Sequence, residues 1–289
     1  MVESIFYGVA ANFITSLFWS MLILIGLLLV YYRERKTLLR FFGVTNELPK
    51  VYIYMSCLTL GDSAAKGFEQ TKKGYTGSAI VPTENKAAID LVNILRTRYY
   101  AVLPSGLRNW ISSQQLTFLS LNPQVEVSPH SPDLCEPNAN LILIGSGVYN
   151  VVSKHYLEEN PGCLSFVTKL DKTRAVSVKK ESFVGELRGR PDAELGVIIR
   201  RERGTTKGTV IICAGWGTAS TQGTVGYLLS HWEELQRYYG DAPFEVGLSF
   251  PGLQPHSEAW DPEKPGIPIY PPEYIARKPA SGGRPIAKR

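Results

Sequence analysis

The sequence predicts an α/β protein, a Rossmann-like three-layer sandwich with a small antiparallel insert, preceded by one transmembrane helix. The first observation is a long apolar segment near the N-terminus that carries no charge. The second is an alternation of short apolar runs and helical stretches in the middle of the chain, which is typical of a sheet covered by helices. The third is that the runs 140–144 and 209–213 are apolar on both faces, as central parallel strands are. We therefore divide the chain into a membrane helix with a basic flank (1–45), a cytosolic α/β domain (46–250) and a Pro-rich disordered tail (251–289).

The composition limits the classes of function. Hydrophobic residues make up 44% and charged residues 20% of the 289 residues, which allows a packed core and excludes wholesale disorder. The four cysteines form no CxxC pair and the four histidines are scattered, so neither a disulfide-rich scaffold nor a metal site is predicted. The net charge of +5 comes without a clustered basic face, so no nucleic-acid partner is expected. No cofactor is predicted either.

The segment Phe13–Tyr31 is predicted to cross a membrane, since its length at 1.5 Å per residue matches a hydrocarbon core about 30 Å thick. Arg33, Arg35, Lys36 and Arg40 follow directly, whereas the N-terminal flank has no basic residue. The positive-inside rule then places the N-terminus outside the cell and the folded domain in the cytoplasm. A cleaved signal peptide is the alternative, but the apolar run is long for one and basic residues stand where cleavage would fall.

A stripe of small and polar residues runs along one side of this helix. Gly8, Asn12, Ser16 and Ser20 follow one another at i+4 spacing. Small residues allow two helix backbones to approach closely, and Asn or Ser hydrogen-bonds across such a contact. The stripe therefore suggests self-association in the membrane. The alternative is that its N-terminal members lie at the outer membrane interface.

The domain begins with a strand at 51–56, which is rich in β-branched and aromatic residues. A helix opens at Pro82-Thr83-Glu84, with Thr83 predicted as its N-cap, because a buried apolar stripe follows. A short strand at 99–103 and a helix at 107–116 come next. Four prolines between residues 122 and 140 predict that this segment is loop in large part.

The second half of the domain is predicted to contain two apolar strands, an insert and two helices. In order these are a strand at 140–144, a helix at about 148–158, an antiparallel insert at about 164–206, a strand at 209–213, a Gly/Ser/Thr loop at 214–223, an amphipathic helix at 224–239 and a closing strand at 244–248. Disorder is predicted beyond Phe250, where nine of the 19 prolines occur without a hydrophobic period.

The first candidate ligand site is a glycine turn between a strand and a helix. It comprises Gly145, Ser146, Gly147 and, one turn later, Asn150. Unpaired N–H groups at a helix N-terminus favour an anion such as phosphate, and glycines allow its close approach. The third glycine of a dinucleotide fingerprint and the Lys-Ser/Thr of a P-loop are both missing. A tight β–α turn without a ligand is the alternative.

The second candidate site is the Gly/Ser/Thr loop after the strand at 209–213. Its hydroxyls suit phosphate or ribose, and its tryptophan offers a ring for base stacking. If both loops open at one sheet edge, they form one site. The alternative is a flexible loop with its tryptophan folded into the core. The candidate residues are Gly215, Trp216, Gly217, Thr218, Ser220, Thr221, Gly223 and Thr224.

No catalytic residue is assigned from the sequence. A GxSxG nucleophile elbow is absent, and Ser146 has no identified base. His155 and His231 are interpreted as helix-surface histidines and Cys213 as a small apolar strand residue. Glu84, an acid in the first turn of a helix, is explained by the helix dipole.

The two motifs together resemble a Rossmann-like module found in uncharacterised prokaryotic proteins and in the outer domain of archaeal S-layer proteins. The matching pieces are Leu141–Asn150, which follows a strand–GGxxxN–helix pattern with Ser146 in place of a glycine, and Ile212–Leu229, which follows a strand–AG–loop–GT–helix pattern. The plan of one membrane helix and one such domain is similar to that of membrane effectors in prokaryotic antiviral signalling. That similarity implies that the domain senses a nucleotide messenger.

Three hypotheses of function follow from the sequence. The first is a single-pass membrane protein whose cytosolic domain senses a nucleotide-like anion and signals through association of its membrane helix. The second is an anchored enzyme acting on a nucleotide or sugar-nucleotide, with Ser146, Asn150 or His155 near the chemistry. The third is a scaffold whose Pro-rich tail recruits partners. The lipid bilayer is the expected partner in all three, and a homo-oligomer is expected in the first.

Overall fold

The computed structural model of the protein describes residues 2–59, 78–96, 123–128, 138–145, 150–159, 164–168, 174–180, 183–188, 193–203, 208–253, 260–272 and 274. The helices in this part of the chain are α1 (Val2–Phe41), α2 (Pro82–Arg96), α3 (Val151–Glu159) and α4 (Thr218–Tyr239). The strands are β1 (Lys50–Tyr54), β2 (Cys57–Thr59), β3 (Ser78–Ile80), β4 (Gln124–Ser128), β5 (Asn140–Ile144), β6 (Leu164–Thr168), β7 (Arg174–Lys180), β8 (Phe183–Arg188), β9 (Ala193–Glu202), β10 (Thr209–Gly215), β11 (Phe244–Pro251) and β12 (Ile267–Tyr270).

The largest sheet among the described residues has the strand order β12-β11-β9-β10-β5-β1-β4. The strands β4, β1, β5 and β10 are parallel, with Ile142 of β5 beside Ile53 of β1 and Ile211 of β10. β9 is antiparallel to β10 and β11, and β12 is antiparallel to β11. The predicted α/β class is confirmed as a mixed sheet with mostly parallel core strands.

Side chains from the two faces of this sheet form two separate cores. Ile142 and Ile144 of β5 pack into the core that contains α2, α4 and the end of α1, and neighbouring Leu141 and Leu143 face the other core, with Val152 of α3. Alternate strand residues point to opposite faces, so a strand that is covered on both sides must be apolar throughout. Helices thus lie on both faces of the sheet.

The predicted antiparallel insert corresponds to a separate sheet of β6, β7 and β8. The insert ends before residue 193, because β9 pairs along its length with β10 and β11 of the main sheet. The prediction of an insert up to residue 206 is therefore wrong for β9. Polar and charged residues at the ends of β9 resemble those of a surface hairpin. The middle of β9, Leu195–Ile199, is buried.

Helix α1 is one continuous element that runs from an apolar segment into the domain core. Its apolar side chains between Phe13 and Val30 are mostly exposed, and the helix is long and apolar enough to cross a membrane. In its last turns and just beyond, Leu38, Phe41 and Phe42 are fully buried in the core with α2 and α4. The predicted domain boundary at residue 45 is therefore too late, because core side chains already occur within the basic flank before it.

Part of the segment predicted as a disordered tail is ordered and packed on the domain. β12 pairs with β11 at the edge of the main sheet. Trp260 lies so close to Gly226 of α4 that a Cβ there would clash with its ring. Tyr274 is buried, and its hydroxyl lies 3.1 Å from that of Tyr227. The disorder prediction therefore does not describe these residues, because their few aromatic side chains find partners on α4. Residues 275–289 lie outside the described part of the chain.

Three further predictions can be compared with the described residues. β4 lies inside the segment 122–140, for which the prolines predict a loop. Thr83 does not cap α2, because the helix begins at Pro82, a residue suited to the first helical position. The predicted strand at 99–103 and helix at 107–116 lie outside the described residues.

Candidate functional site

The candidate site lies at the carboxyl edge of the parallel strands, between β1 and β5. From β1 the chain crosses to β4 on one side and then returns to β5 on the other. In open α/β sheets, the loops that follow two neighbouring strands separate at such a reversal, and ligands bind there. We call the region between the ends of β1 and β5 the crevice. Ser56 follows β1 at this edge, and Gly145 follows β5.

A buried carboxyl group lies in this crevice. Glu84, in the first turn of α2, is 4% exposed. The Ser56 backbone N–H donates to its Oε2 at 2.8 Å, and the Ser56 hydroxyl donates to its Oε1 at 3.1 Å. Burial raises the pKa of Glu84 from 4.5 to about 7, although the two bonds from Ser56 lower it. Glu84 can therefore hold or release a proton near neutral pH.

Gly145 allows Glu84 and Ser56 to reach the end of β5. Its φ of +108° is strained for any residue with a side chain. A Cβ at this position would lie 2.2 Å from Ser56 Oγ and 3.0 Å from Glu84 Oε1. The first glycine of the predicted motif is thus required by the chain's own packing at this point.

Asn150 joins the two strands to α3. Its Nδ2 donates to the carbonyl of Ile144 at 2.9 Å and to that of Tyr54 at 3.4 Å. Its Oδ1 accepts the Ser153 backbone N–H at 3.0 Å, which is the arrangement of a helix N-cap. The predicted site residue therefore lies in the crevice, buried and bonded to both strands. Ser146 and Gly147 lie outside the described residues.

The second predicted loop is shorter than expected, because α4 begins at Thr218. The prediction of a loop up to residue 223 is wrong. Thr221 donates to the Gly217 carbonyl at 2.9 Å and accepts the Gly215 N–H at 3.0 Å. Thr224 donates to the Ser220 carbonyl at 2.7 Å. These hydroxyls close the first turns of the helix against its own backbone.

A second buried carboxylate lies against this helix N-terminus. Ser220 donates to Glu194 Oε2 at 2.6 Å and accepts the Gly217 N–H at 2.9 Å. A Cβ on Gly217 would lie 2.7 Å from Glu194 Oε2. Glu194 of β9 therefore occupies the place that an anion would take at this helix N-terminus.

The remaining predicted residues fall into two groups. Trp216 is half-buried against the core on the α3 face, and Gly223 lies within the helix against Phe250 and Trp260. The predicted stripe of small and polar residues lies along α1, and its described side chains at Asn12, Ser16 and Ser20 are exposed. Gly8 lies in the same helix.

The edge combines two buried glutamates with neutral amide and hydroxyl groups. Glu84 and Glu194 lie at the N-terminal turns of α2 and α4, so these two turns already have a carboxyl partner from the chain itself. At the third helix start of this edge, that of α3, the N-cap side chain is the neutral amide of Asn150. Within the described ranges, no three His, Cys, Asp or Glu side chains come together as metal ligands.

Glu84 lies at the candidate site, which its position in the sequence does not indicate. The helix dipole explains it as a first-turn acid, yet the strand order places it between β1 and β5. The available signal is an acid in the first turn of the helix that follows the first strand. His155 is exposed, His231 stacks on the Tyr227 ring at 4.0 Å, and Cys213 is buried, which raises the pKa of its thiol.

Gly145→Ala is expected to lower the free energy of unfolding by about 1–3 kcal/mol from backbone strain alone, with a further loss because the new Cβ displaces Ser56. Gly252→Ala is the matched control, because Gly252 also has a positive φ, +74°, but no atom lies within 4 Å of the place where its Cβ would be. Chemical unfolding of the full-length protein in detergent measures both. Equal losses in the two variants would show that the crevice is not closely packed.

Comparisons of the chain with protein-family models, with curated proteins and with solved structures found no match. The function is therefore argued from the geometry of the crevice and of α1.

Proposed function

We propose that the protein is a single-pass membrane sensor whose Rossmann-like domain binds a nucleotide-like ligand at the crevice between β1 and β5. The bound state is passed to the membrane helix α1, which responds through self-association. The domain lies in the cytoplasm and the N-terminus outside, as the basic residues after the apolar segment favour.

The observation that carries this proposal is the direct entry of α1 into the domain core. Phe41 lies 6.1 Å from the ring of Phe244 and 6.2 Å from that of Trp232, and the guanidinium of Arg200 lies 5.5 Å from its ring centre. Close-packed interiors are hardly compressible and transmit strain. A shift of α4 would therefore displace the end of α1 that is packed against it.

Two helices connect the crevice with the membrane helix. α2 carries Glu84 in its first turn at the carboxyl edge, and in its last turn the Leu95 carbonyl accepts Arg35 of α1 at 2.7 Å. α4 begins beside Glu194, and at its far end Asp241 forms an ion pair with Arg40 of α1. Both helices therefore span the distance from the candidate site to α1.

The arrangement of charges limits how a nucleotide would bind. Its phosphate would meet repulsion at Glu194 and at ionised Glu84, and would be placed at the start of α3, where Asn150 is the N-cap. Hydroxyl or amino groups of the ribose or base would donate to Glu84. The ligand would thus exploit both the helix N-terminus and the buried carboxyl group.

The second candidate function is an anchored enzyme acting on a nucleotide or sugar-nucleotide. A buried carboxyl group whose pKa is raised to about 7 in a crevice is suited to general acid–base catalysis. Glu84 would be its acid or base, with Asn150 as a neighbouring positioning group. This candidate requires turnover, whereas the sensor requires only binding.

The test is a thermal unfolding screen of the full-length protein in detergent against nucleotides and nucleotide-sugars. A ligand present at 100 times its Kd is expected to add about 2.7 kcal/mol of stability. In Gly145→Ala the new Cβ displaces Ser56 in the crevice, and the stabilisation by the ligand is expected to be lost. The absence of a shift with every phosphate-bearing compound would contradict the sensor.

Chromatography of the same mixtures separates the two candidates. Unchanged nucleotide together with a thermal shift supports the sensor. Product formation that is lost in Glu84→Gln supports the enzyme, because the amide keeps the shape of the side chain and cannot exchange its proton in the same way.

A further inference from the structure

The end of the domain that receives α1 lies opposite the candidate site. Gly43, just after α1, lies against Asn140 and Thr209, which begin β5 and β10. We call this the amino edge of the sheet. The last turn of α2 lies at the same end, since the Leu95 carbonyl accepts Arg35.

The domain reaches α1 where the apolar segment ends. Tyr31, the last residue of the predicted span, packs against the core, and Arg35 is 5% exposed. Along a helix, Arg35 is only about 4.5 Å beyond Tyr32. The headgroup layer on each side of the hydrocarbon core is about 5–8 Å thick. If Tyr32 marks the hydrocarbon boundary, the last turn of α2 lies at the depth of the headgroups.

The charge at this end fits a negatively charged lipid surface. Arg33 and Lys36 of α1 and Arg96 of α2 are exposed there, and Arg96 also donates to the Val125 carbonyl. The acidic side chains near them are Glu34 within the basic flank, Glu47 in the turn after α1, and Asp241, which is paired with Arg40. Clusters of basic side chains next to a membrane helix are attracted to anionic headgroups of the cytoplasmic leaflet.

We infer that the amino edge of the domain, with the last turn of α2, rests on the membrane surface and contacts anionic phospholipid headgroups. The inference rests on the proposed membrane anchoring by α1. The carboxyl edge, with Ser56, Glu84 and Gly145, then points away from the bilayer. A ligand would enter from the cytoplasm and bind at the N-terminal ends of α2 and α4. The membrane surface would lie at the C-terminal ends of the same two helices.

Two asparagines of α2 provide a matched pair of probe positions. Asn85 and Asn93 are both exposed, and eight residues correspond to about 12 Å along the helix. A fluorescent non-canonical amino acid is placed at either position, which leaves the four cysteines untouched. The full-length protein is reconstituted in vesicles of phosphatidylcholine and phosphatidylglycerol that carry a nitroxide quencher on the lipid headgroup.

Position 93 is expected to lose fluorescence to the headgroup quencher, and position 85 is expected to keep it. The loss at position 93 should decrease in pure phosphatidylcholine vesicles, and in an Arg33→Glu, Lys36→Glu variant. Equal quenching at the two positions, or none at position 93, would overturn the inference. If quenching at position 93 is the same in pure phosphatidylcholine vesicles and in the Arg33→Glu, Lys36→Glu variant, the role of anionic headgroups would be overturned.

Flotation of the vesicles separates this inference from the proposed function. Protein that floats with the vesicles but is not quenched at position 93 retains its anchor and loses the surface contact. Protein that does not float contradicts the membrane anchor, and the sensor and the surface contact are then both wrong.

Discussion

Glu84→Gln is expected to stabilise the protein by about 3 kcal/mol above pH 7 and to leave its stability unchanged below pH 4.5. The pKa of Glu84 is 4.5 in a free chain and about 7 in the folded protein. Between these values the folded state binds the extra proton, so raising the pH favours unfolding. The stability that the neutral carboxyl group contributes is present below pH 4.5 and is lost as the pH rises through about 7.

The amide is expected to reproduce the protonated acid. Its oxygen accepts the Ser56 N–H, and its NH2 group donates to the Ser56 hydroxyl, in the geometry that Glu84 has. Denaturant unfolding of the full-length protein and the variant across this pH range measures the difference. Asn85→Ala is the control, since it changes an exposed, uncharged neighbour in the same turn. Parallel pH profiles for Glu84→Gln and the unmodified protein would contradict the raised pKa.

Phe41→Ala is expected to lower the free energy of unfolding by about 3–5 kcal/mol, a large share of the total stability of a typical domain. Phe41 is 0% exposed and lies among Phe42, Trp232 and Phe244. Its removal leaves a cavity at the junction of α1 with the domain. It also takes away the ring beneath the Arg200 guanidinium.

Phe18→Ala is the matched control, because Phe18 lies in the same helix and is 56% exposed. Unfolding in detergent, followed by tryptophan fluorescence, is expected to change little for this variant. If Phe41→Ala does not fold, Phe41→Leu retains most of the side-chain volume and is expected to lose less stability. Equal, small changes at positions 41 and 18 would show that α1 is not part of the domain core.

The two predictions probe opposite ends of the domain. Glu84 lies at the first turn of α2, and Arg35 of α1 bonds to its last turn. In the proposed sensor, the packed side chains of α2 and α4 would carry the ligand signal from one end to the other. The predictions on stability hold for the enzyme as well, since they depend on the packing alone.

The long apolar helix and the central strands could be predicted because their signals are local. The apolar segment Phe13–Tyr31 is too long and too uncharged for an ordinary surface helix, and β5 and β10 are apolar on both faces. A strand covered on both sides needs apolar residues at successive positions, and this pattern is visible without knowledge of its neighbours.

β4 and β12 escape prediction because prolines stand next to them or within them. β4 alternates polar and apolar residues as a strand does, but it follows Pro123 in a proline-rich segment, and β12 contains Pro268 among the prolines of the predicted tail. Both are edge strands, for which polar residues and prolines are tolerated. Pairing with a preformed sheet edge outweighs their weak local preference for a strand.

The start of α4 is misplaced by the sequence pattern because small residues serve two purposes. Glycines and hydroxyl residues suit a ligand loop, and they also suit a helix end packed against a neighbouring strand. Here Ser220 and Thr221 bond to Gly217, and Gly217 leaves room for Glu194. No pattern within 214–224 distinguishes these two uses, because the deciding partner is on β9.

The apolar segment and the alternation of apolar strands with helices can be read from the amino-acid sequence, because hydropathy and periodicity are properties of neighbouring residues. The contacts of Glu84 with Ser56 and Gly145, and of Arg35 with Leu95, depend on the fold. The partners in these contacts are 28 to 61 residues apart in the chain, and the strand order and the docking of α1 bring them together. A side chain takes its pKa and its hydrogen-bond partners from what surrounds it in space, which sequence spacing does not specify.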